Sequence, residues 1–135
     1  MKPLHKVLIT GSREWNARPA IESAIRAEGI KASAAGKVLV VIHGDYRPSS
    51  SAPWLGADLI AEHVCEDLGV FSVKVPARWS AMGLGAGPRR NGVMVALGPD
   101  ICYAFPLASS KGTVDCIRQA RNAGIRVVVY GEETQ

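Results

Sequence analysis

Five apolar runs, each separated from the next by a segment of helical periodicity, constrain this chain more than any other feature. The runs are Val7–Thr10, Val38–His43, Phe71–Val75, Ile101–Phe105 and Arg126–Tyr130. They are rich in Val and Ile and nearly continuous. A strand with one solvated face alternates apolar and polar residues; a parallel strand covered on both faces does not. The segments between them read as helices. Ala17–Ala34 carries Ile21, Ala24 and Ile25 on one face, and Ala57–Leu68 carries Ile60, Val64 and Leu68, with Gly69 in place to end it. Pro88–Leu97 opens on a proline, which suits a first helical position, and Gly112–Ala123 carries Val114, Ile117 and Ala120 before Gly124. Strand and helix therefore alternate throughout. Right-handed crossovers turn that order into an α/β, Rossmann-like, doubly wound parallel sheet of five strands. The expected strand order is 3-2-1-4-5, with helices on both faces. The winding reverses between strands one and four, and a ligand crevice belongs at their C-terminal ends.

The loops that follow those two strands have the chemistry such a crevice needs. One is Gly11-Ser12-Arg13 after Val7-Leu8-Ile9-Thr10, and the other is Leu107-Ala108-Ser109-Ser110-Lys111-Gly112-Thr113 after Ile101–Pro106. A strand, a turn of small residues and a helix start direct free backbone N–H groups and the positive end of a helix dipole at one spot. Two such turns point to a ligand that carries phosphate. Loop chemistry and topology, read separately, choose the same place.

Composition narrows the classes. A chain of 135 residues, with no linker or repeat, is expected to form one domain over residues 1–135. No apolar run approaches the roughly 20 residues of a membrane span. The basic N-terminus runs into a strand without a signal-peptide pattern, so a cytoplasmic location is expected. Cys65, Cys102 and Cys116 lack C-x-x-C spacing and lie in apolar or helical runs; they read as buried free thiols, with no metal site. A net charge of +4 suits an acidic small molecule and is too small to imply duplex nucleic acid. There is no P-loop and no G-x-G-x-x-G after the first strand. Gly83-Leu84-Gly85-Ala86-Gly87 has the wrong spacing for that fingerprint and reads as a flexible approach to the third helix. No cofactor is expected.

Arg89 and Arg90 fall in the expected first turn of the third helix, where the dipole disfavours cations, and Lys111 precedes the last helix. Basic residues at the wrong end of helices make sense around an anion, and Arg13 joins them. Asp45 follows strand two, where nucleotide folds place an acid for the ribose, and Asp58 serves either that role or its own helix N-terminus. His43 ends a buried strand without a partner at metal-ligand spacing. Trp15, Trp54 and Trp79 lie in loops on the ligand side, where a ring stacks on a base or covers a loop. Tyr46–Pro53 is rich in Pro and Ser and reads as a surface loop beside the crevice.

Taken in series, these residues resemble the SLOG superfamily of Rossmann-like domains, and most closely its small YspA/YpsA-related branch from phages and bacteria. The matching pieces are Ile9–Trp15, His43-Gly44, Gly56-Ala57-Asp58, Pro76–Trp79, Gly87-Pro88-Arg89-Arg90-Asn91 with Met94, and Ala104-Phe105 followed by Gly112-Thr113. The resemblance implies binding of a nucleotide or nucleotide-derived ligand, and assembly as a homo-oligomer. The ligand set expected on these grounds is Gly11, Ser12, Arg13, Gly44, Asp45, Asp58, Arg89, Arg90, Asn91, Ser109, Ser110, Lys111, Gly112 and Thr113. An enzymatic branch, the cytokinin-activating phosphoribohydrolases, carries R-K-x-x-M and P-G-G-x-G-T-x-x-E. Here Asn91 replaces the lysine, Ser109 and Ser110 replace the paired glycines, and Cys116 stands where the glutamate belongs. Asp115 is one position early, a rotation of about 100° on a helix.

The leading expectation is a binding module for a nucleotide derivative. The alternative is an N-glycoside hydrolase acting on a nucleoside monophosphate, in which Arg90 and Lys111 hold the phosphate and Asp115 or Asp45 assists departure of the base. A third is single-stranded DNA binding, which asks for a basic groove interleaved with aromatics; aromatic residues make up only 6% of the chain.

Overall fold

The first apolar run extends as β1 (Leu4–Gly11) and occupies the centre of a five-stranded sheet. A computed structural model describes residues 2–46, 55–78, 83–108 and 110–131. The remaining strands are β2 (Val38–His43), β3 (Phe71–Lys74), β4 (Ile101–Phe105) and β5 (Val127–Val129). All pairings are parallel, in the order β3-β2-β1-β4-β5. Among the described residues four α-helices connect them: α1 (Arg18–Ala34), α2 (Ala57–Leu68), α3 (Ala86–Ala96) and α4 (Lys111–Asn122). The expected architecture and strand order are what the chain adopts.

Alternation along the central strands sorts the two cores. Val7 and Ile9 of β1 join Val41, Tyr103 and Phe105 against Ile21 and Ile25 of α1 and Ile60 and Val64 of α2. Leu8 lies in register between Ile42 and Cys102, on the opposite face, and packs with Met94 of α3 and Cys116 of α4. β1, β2 and β4 thus lose water on both sides, which is why their runs are continuous rather than alternating. All three cysteines are buried free thiols, as expected, and burial pushes Cys65 up to about 12. Among the described residues no helix is long and apolar enough to cross a membrane.

α1 is fastened to the sheet by a buried polar group as well as by its apolar face. Glu28 is 1% exposed, accepts from Tyr103 Oη at 2.6 Å and from His5 Nε2 at 2.7 Å, and pairs with Lys31 at 3.2 Å. Burial raises its carboxyl, but these three donors outweigh it and hold the group below its ordinary value.

The structure departs from the expected boundaries in one place that matters. α3 begins at Ala86, preceded by a 3₁₀ turn over Gly83–Gly85, and not at Pro88. The glycine-rich stretch therefore winds directly into the helix. Pro88 is tolerated as the third helical residue because the N–H groups of the first turn have no intrahelical acceptor. Arg89 and Arg90 consequently sit two residues, about half a turn, deeper than expected, where the dipole argument for a bound anion is weaker.

Candidate functional site

The loop after β1 is tied down by its own backbone. Ser12 N–H donates to the Phe105 carbonyl at 2.9 Å, Glu14 N–H to Ser12 Oγ at 3.0 Å, and Trp15 N–H to the Ser12 carbonyl at 3.2 Å. Its carbonyls do further work: Ser12 accepts from Ala57 N–H at 3.0 Å and Trp15 from Gly56 N–H at 2.8 Å, so this loop caps α2. Gly11 has no room for a side chain, since a Cβ would strike Ala57 Cβ and approach the Phe105 carbonyl oxygen at 2.9 Å. The missing side chain at Gly11 serves close packing of β1, β4 and α2. Trp15 packs edge-on against Phe105 at 5.3 Å and donates Nε1–H to the Ala17 carbonyl, which makes it a loop cover. Arg13 is exposed and lies over the Tyr46 ring, its guanidinium carbon 4.4 Å from the centroid.

The end of β2, the start of α2 and the middle of α3 converge on Gly44. Arg90 donates Nη1–H to the Gly44 carbonyl at 2.7 Å and Nε–H to Asn91 Oδ1 at 3.1 Å. A Cβ at Gly44 would strike the Arg90 guanidinium and come within 2.9 Å of Asp58 Oδ2. Asp58 is 9% exposed, and its Oδ2 accepts Tyr46 N–H at 3.1 Å. Burial pushes its carboxyl up from the ordinary value, against the pull of Arg90 and the Tyr46 and Gly44 amides. Asp45 adopts φ +51°, a left-handed backbone that aspartate tolerates better than most residues. Its N–H donates to His43 Nδ1 at 3.0 Å. That bond fixes the tautomer: the proton of buried His43 sits on Nε2 and is donated to Glu62 Oε1 at 2.8 Å. Burial raises the Glu62 carboxyl, but His43, Ser72 and Lys74 outweigh it and lower the group to about 2. Glu62 and Tyr46 support the site without having stood out in the sequence.

Asn91 is 2% exposed and joins α3 to α4, donating Nδ2–H to the Gly112 carbonyl at 3.1 Å and to Asp115 Oδ2 at 3.0 Å. Asp115 also accepts from Gln119 Nε2 at 2.8 Å and from Arg118 Nη2 at 2.6 Å. These donors overcome partial burial and hold its carboxyl below the ordinary value. Asp115 is therefore a paired carboxylate between two helices.

The start of α4 contrasts with that of α2. Neither helix has a side-chain cap, but α4, unlike α2 with Asp58, has no acid in its first turn. Ser110 uses its Oγ to accept Leu107 N–H at 2.9 Å and shapes the loop rather than capping the helix. Lys111 and Gly112 are exposed, and a Cβ at Gly112 would meet nothing within 4 Å. Thr113 is buried at 3% exposure. Ser109, Trp54, Trp79 and residues 47–53 of the Pro/Ser-rich loop lie outside the described residues. Arg89 is exposed on α3, on the flank that faces the segment after β3. Among the described residues no group of His, Cys, Asp and Glu has the arrangement to hold a metal.

No protein-family model matches the chain. The Gene 61 protein of Mycobacterium phage D29 is 39% identical over 135 residues, spanning 96% of this chain and 99% of the phage protein. DNA processing protein A (DprA) of Streptococcus pneumoniae superposes over 98% of this chain with a TM-score of 0.69 at 16% identity. This chain spans about half of that protein, 51% of its length. The Moco carrier protein of Chlamydomonas reinhardtii superposes over 96% of this chain and 76% of its own, with a TM-score of 0.56 at 15% identity. At such identities the likeness is one of fold alone.

Proposed function

The chain belongs to the family of the Gene 61 protein of Mycobacterium phage D29, and from that premise we propose that it binds a nucleotide or nucleotide-derived small molecule in the crevice between the C-terminal ends of β1 and β4. On this reading it is a YspA/YpsA-related member of the SLOG superfamily that folds as one unit and works as a homo-oligomer. One observation carries the site. At the switch point of the sheet, α4 opens with uncapped N–H groups, no acid in its first turn, and Lys111 and Gly112 exposed beside them. Such a helix start attracts phosphate. Asn91 fixes its position through the Gly112 carbonyl, and Arg90 stands next to Asn91 with its charge directed at Gly44. A ligand phosphate takes the N–H groups at Gly112 and Thr113, and Asp45 and Asp58 lie on the β2 side for the sugar.

Binding without turnover is favoured by the state of Asp115. Its two oxygens accept from Asn91, Arg118 and Gln119, so it carries no proton to give to a departing base. The test is native mass spectrometry of freshly purified protein, followed by calorimetry and product analysis with AMP. A co-purified nucleotide mass, or saturable AMP binding with negligible release of adenine, is the expected outcome. Rapid adenine release abolished by Asp115→Asn makes the protein a hydrolase. Absence of any nucleotide binding removes the crevice assignment.

A further inference from the structure

The sheet ends at β3, and among the described residues no strand pairs with its outer side. Val75 N–H donates to the His43 carbonyl at 2.9 Å, so the ladder with β2 runs one residue past β3. Successive residues of a strand aim their N–H and C=O groups to opposite sides. With Val75 facing β2, the backbone groups of Ser72 and Lys74 point outward, and Pro76, which has no N–H, closes the ladder. The side chains alternate as well. Ser72 and Lys74 lie on the α2 side, where both meet Glu62. Phe71, Val73 and Val75 share the other face, and there Phe71 is 69% exposed. Val75 carries this apolar strip into a cleft of about 300 Å³, whose α3 wall adds Val93, 52% exposed. Four of the eight residues lining the cleft are cationic and none is acidic. Lys74 is committed to Glu62 and Arg90 to the Gly44 carbonyl. Arg78 and Arg89 are exposed and have no ion-pair partner among the described residues.

An open strand edge, an apolar strip and two uncommitted arginines therefore follow one another along the chain leaving β2's outer neighbour. An extended chain laid beside β3 takes up the outward N–H and C=O groups and buries alternate side chains on Phe71 and Val73. An acid on that chain, where it passes the cleft, meets Arg78 and Arg89 in charge-assisted bonds. A second copy of this strand is a poor occupant, because two-fold pairing sets Lys74, Arg78 and Arg89 near their own copies. A lysine and a proline at an edge are also the residues that keep like strands apart. We propose that the β3 edge and the adjoining cleft form a docking surface for an extended segment of a partner protein, apolar at alternate positions and acidic at the end that reaches the cleft. The surface is separate from the crevice and does not rest on the nucleotide reading.

The experiment pans a random linear peptide library against the full chain and then follows amide shifts of the nitrogen-15-labelled protein as the enriched peptide is added. Enriched sequences are expected to carry apolar residues at every second position and Asp or Glu at one end. The shifts are expected at residues 71–75 and 89–93. Affinity is expected to fall about tenfold or more when Arg78→Glu and Arg89→Glu are combined, and again in Phe71→Ser. All three side chains are exposed, so both variants are expected to melt with the parent. Failure to enrich any peptide, enriched peptides without acids, or shifts confined to residues 11–15 and 111–113 overturns the proposal. Dimerisation of the protein alone in sedimentation, abolished by Phe71→Ser, gives the edge to a second copy instead. Shifts at residues 71–75 and 89–93 with anionic lipid vesicles or an oligothymidylate, and none with peptide, also overturn it, in favour of a membrane or nucleic-acid surface.

Discussion

Arg90 shows how one contact reverses an expectation drawn from sequence. A cation placed in the first turn of a helix opposes the dipole, so its removal should leave the unliganded protein as stable or slightly more so. The structure puts Arg90 about half a turn deeper and gives it the Gly44 carbonyl at 2.7 Å and the buried Asp58 carboxyl as a neighbour. Its loss strands both groups in a site where water is scarce, and an unmet charged hydrogen bond costs about 1–3 kcal/mol. Arg90→Ala should therefore lower the melting temperature of the unliganded protein and weaken nucleotide binding about ten- to a hundredfold. Thermal melts and calorimetry on one preparation read both. An unchanged melting temperature would mean that the Gly44 contact is energetically idle.

Elements differ in how much of them could be read from sequence. β1, β2 and β4 were legible because burial on both faces writes itself as a continuous apolar run, and α2 because Ile60, Val64 and Leu68 mark a face that ends at Gly69. The start of α3 was not, because Gly83–Gly87 carries almost no side chains to register a period and a 3₁₀ turn joins the helix without a capping signal. The ligand-side clusters were half legible. Loops adjacent in chain to a strand end were found, whereas the links His43–Glu62 and Asn91–Asp115 join residues that only the folded chain brings together. α1 and α2 both hold to the sheet through carboxylates, Glu28 and Glu62, and this sets an acid limit. Glu28 and Glu62 both titrate below their unfolded value of 4.5, Glu62 at about 2. The folded state thus binds fewer protons than the unfolded one. The stabilisation is complete above pH 4.5 and is lost as pH falls towards 2. Urea titrations at stepped pH should show this decline, and Glu62→Gln should flatten it while costing on the order of 2 kcal/mol at pH 7. An acid limb as steep in the variant as in the parent would assign the loss to other groups.

At the scale of the whole molecule, a sheet whose centre is sealed and whose edges are short should not open as one body. β1 is flanked on both sides and buried, whereas β5 has three residues, none fully buried, and β3 has four that are mostly exposed. Native-state hydrogen exchange should find the slowest amides in β1, β2 and β4 and faster exchange at β3 and β5. Uniform protection across the sheet would contradict this ordering.

The central place of β1 also gives the fold a direction under force. β1 is registered with β2 from Leu4↔Val38 to Leu8↔Ile42 and with β4 from Val7↔Ile101 to Gly11↔Phe105. A pull on the chain ahead of β1 drags that strand along its own axis, and the bonds of both ladders must yield nearly together. A pull beyond β5 peels a three-residue edge strand from β4, with load passed from one bond to the next. A motor that unfolds proteins by threading them through a pore therefore meets a stiff lock when it grips the N-terminal end and a zipper when it grips the other.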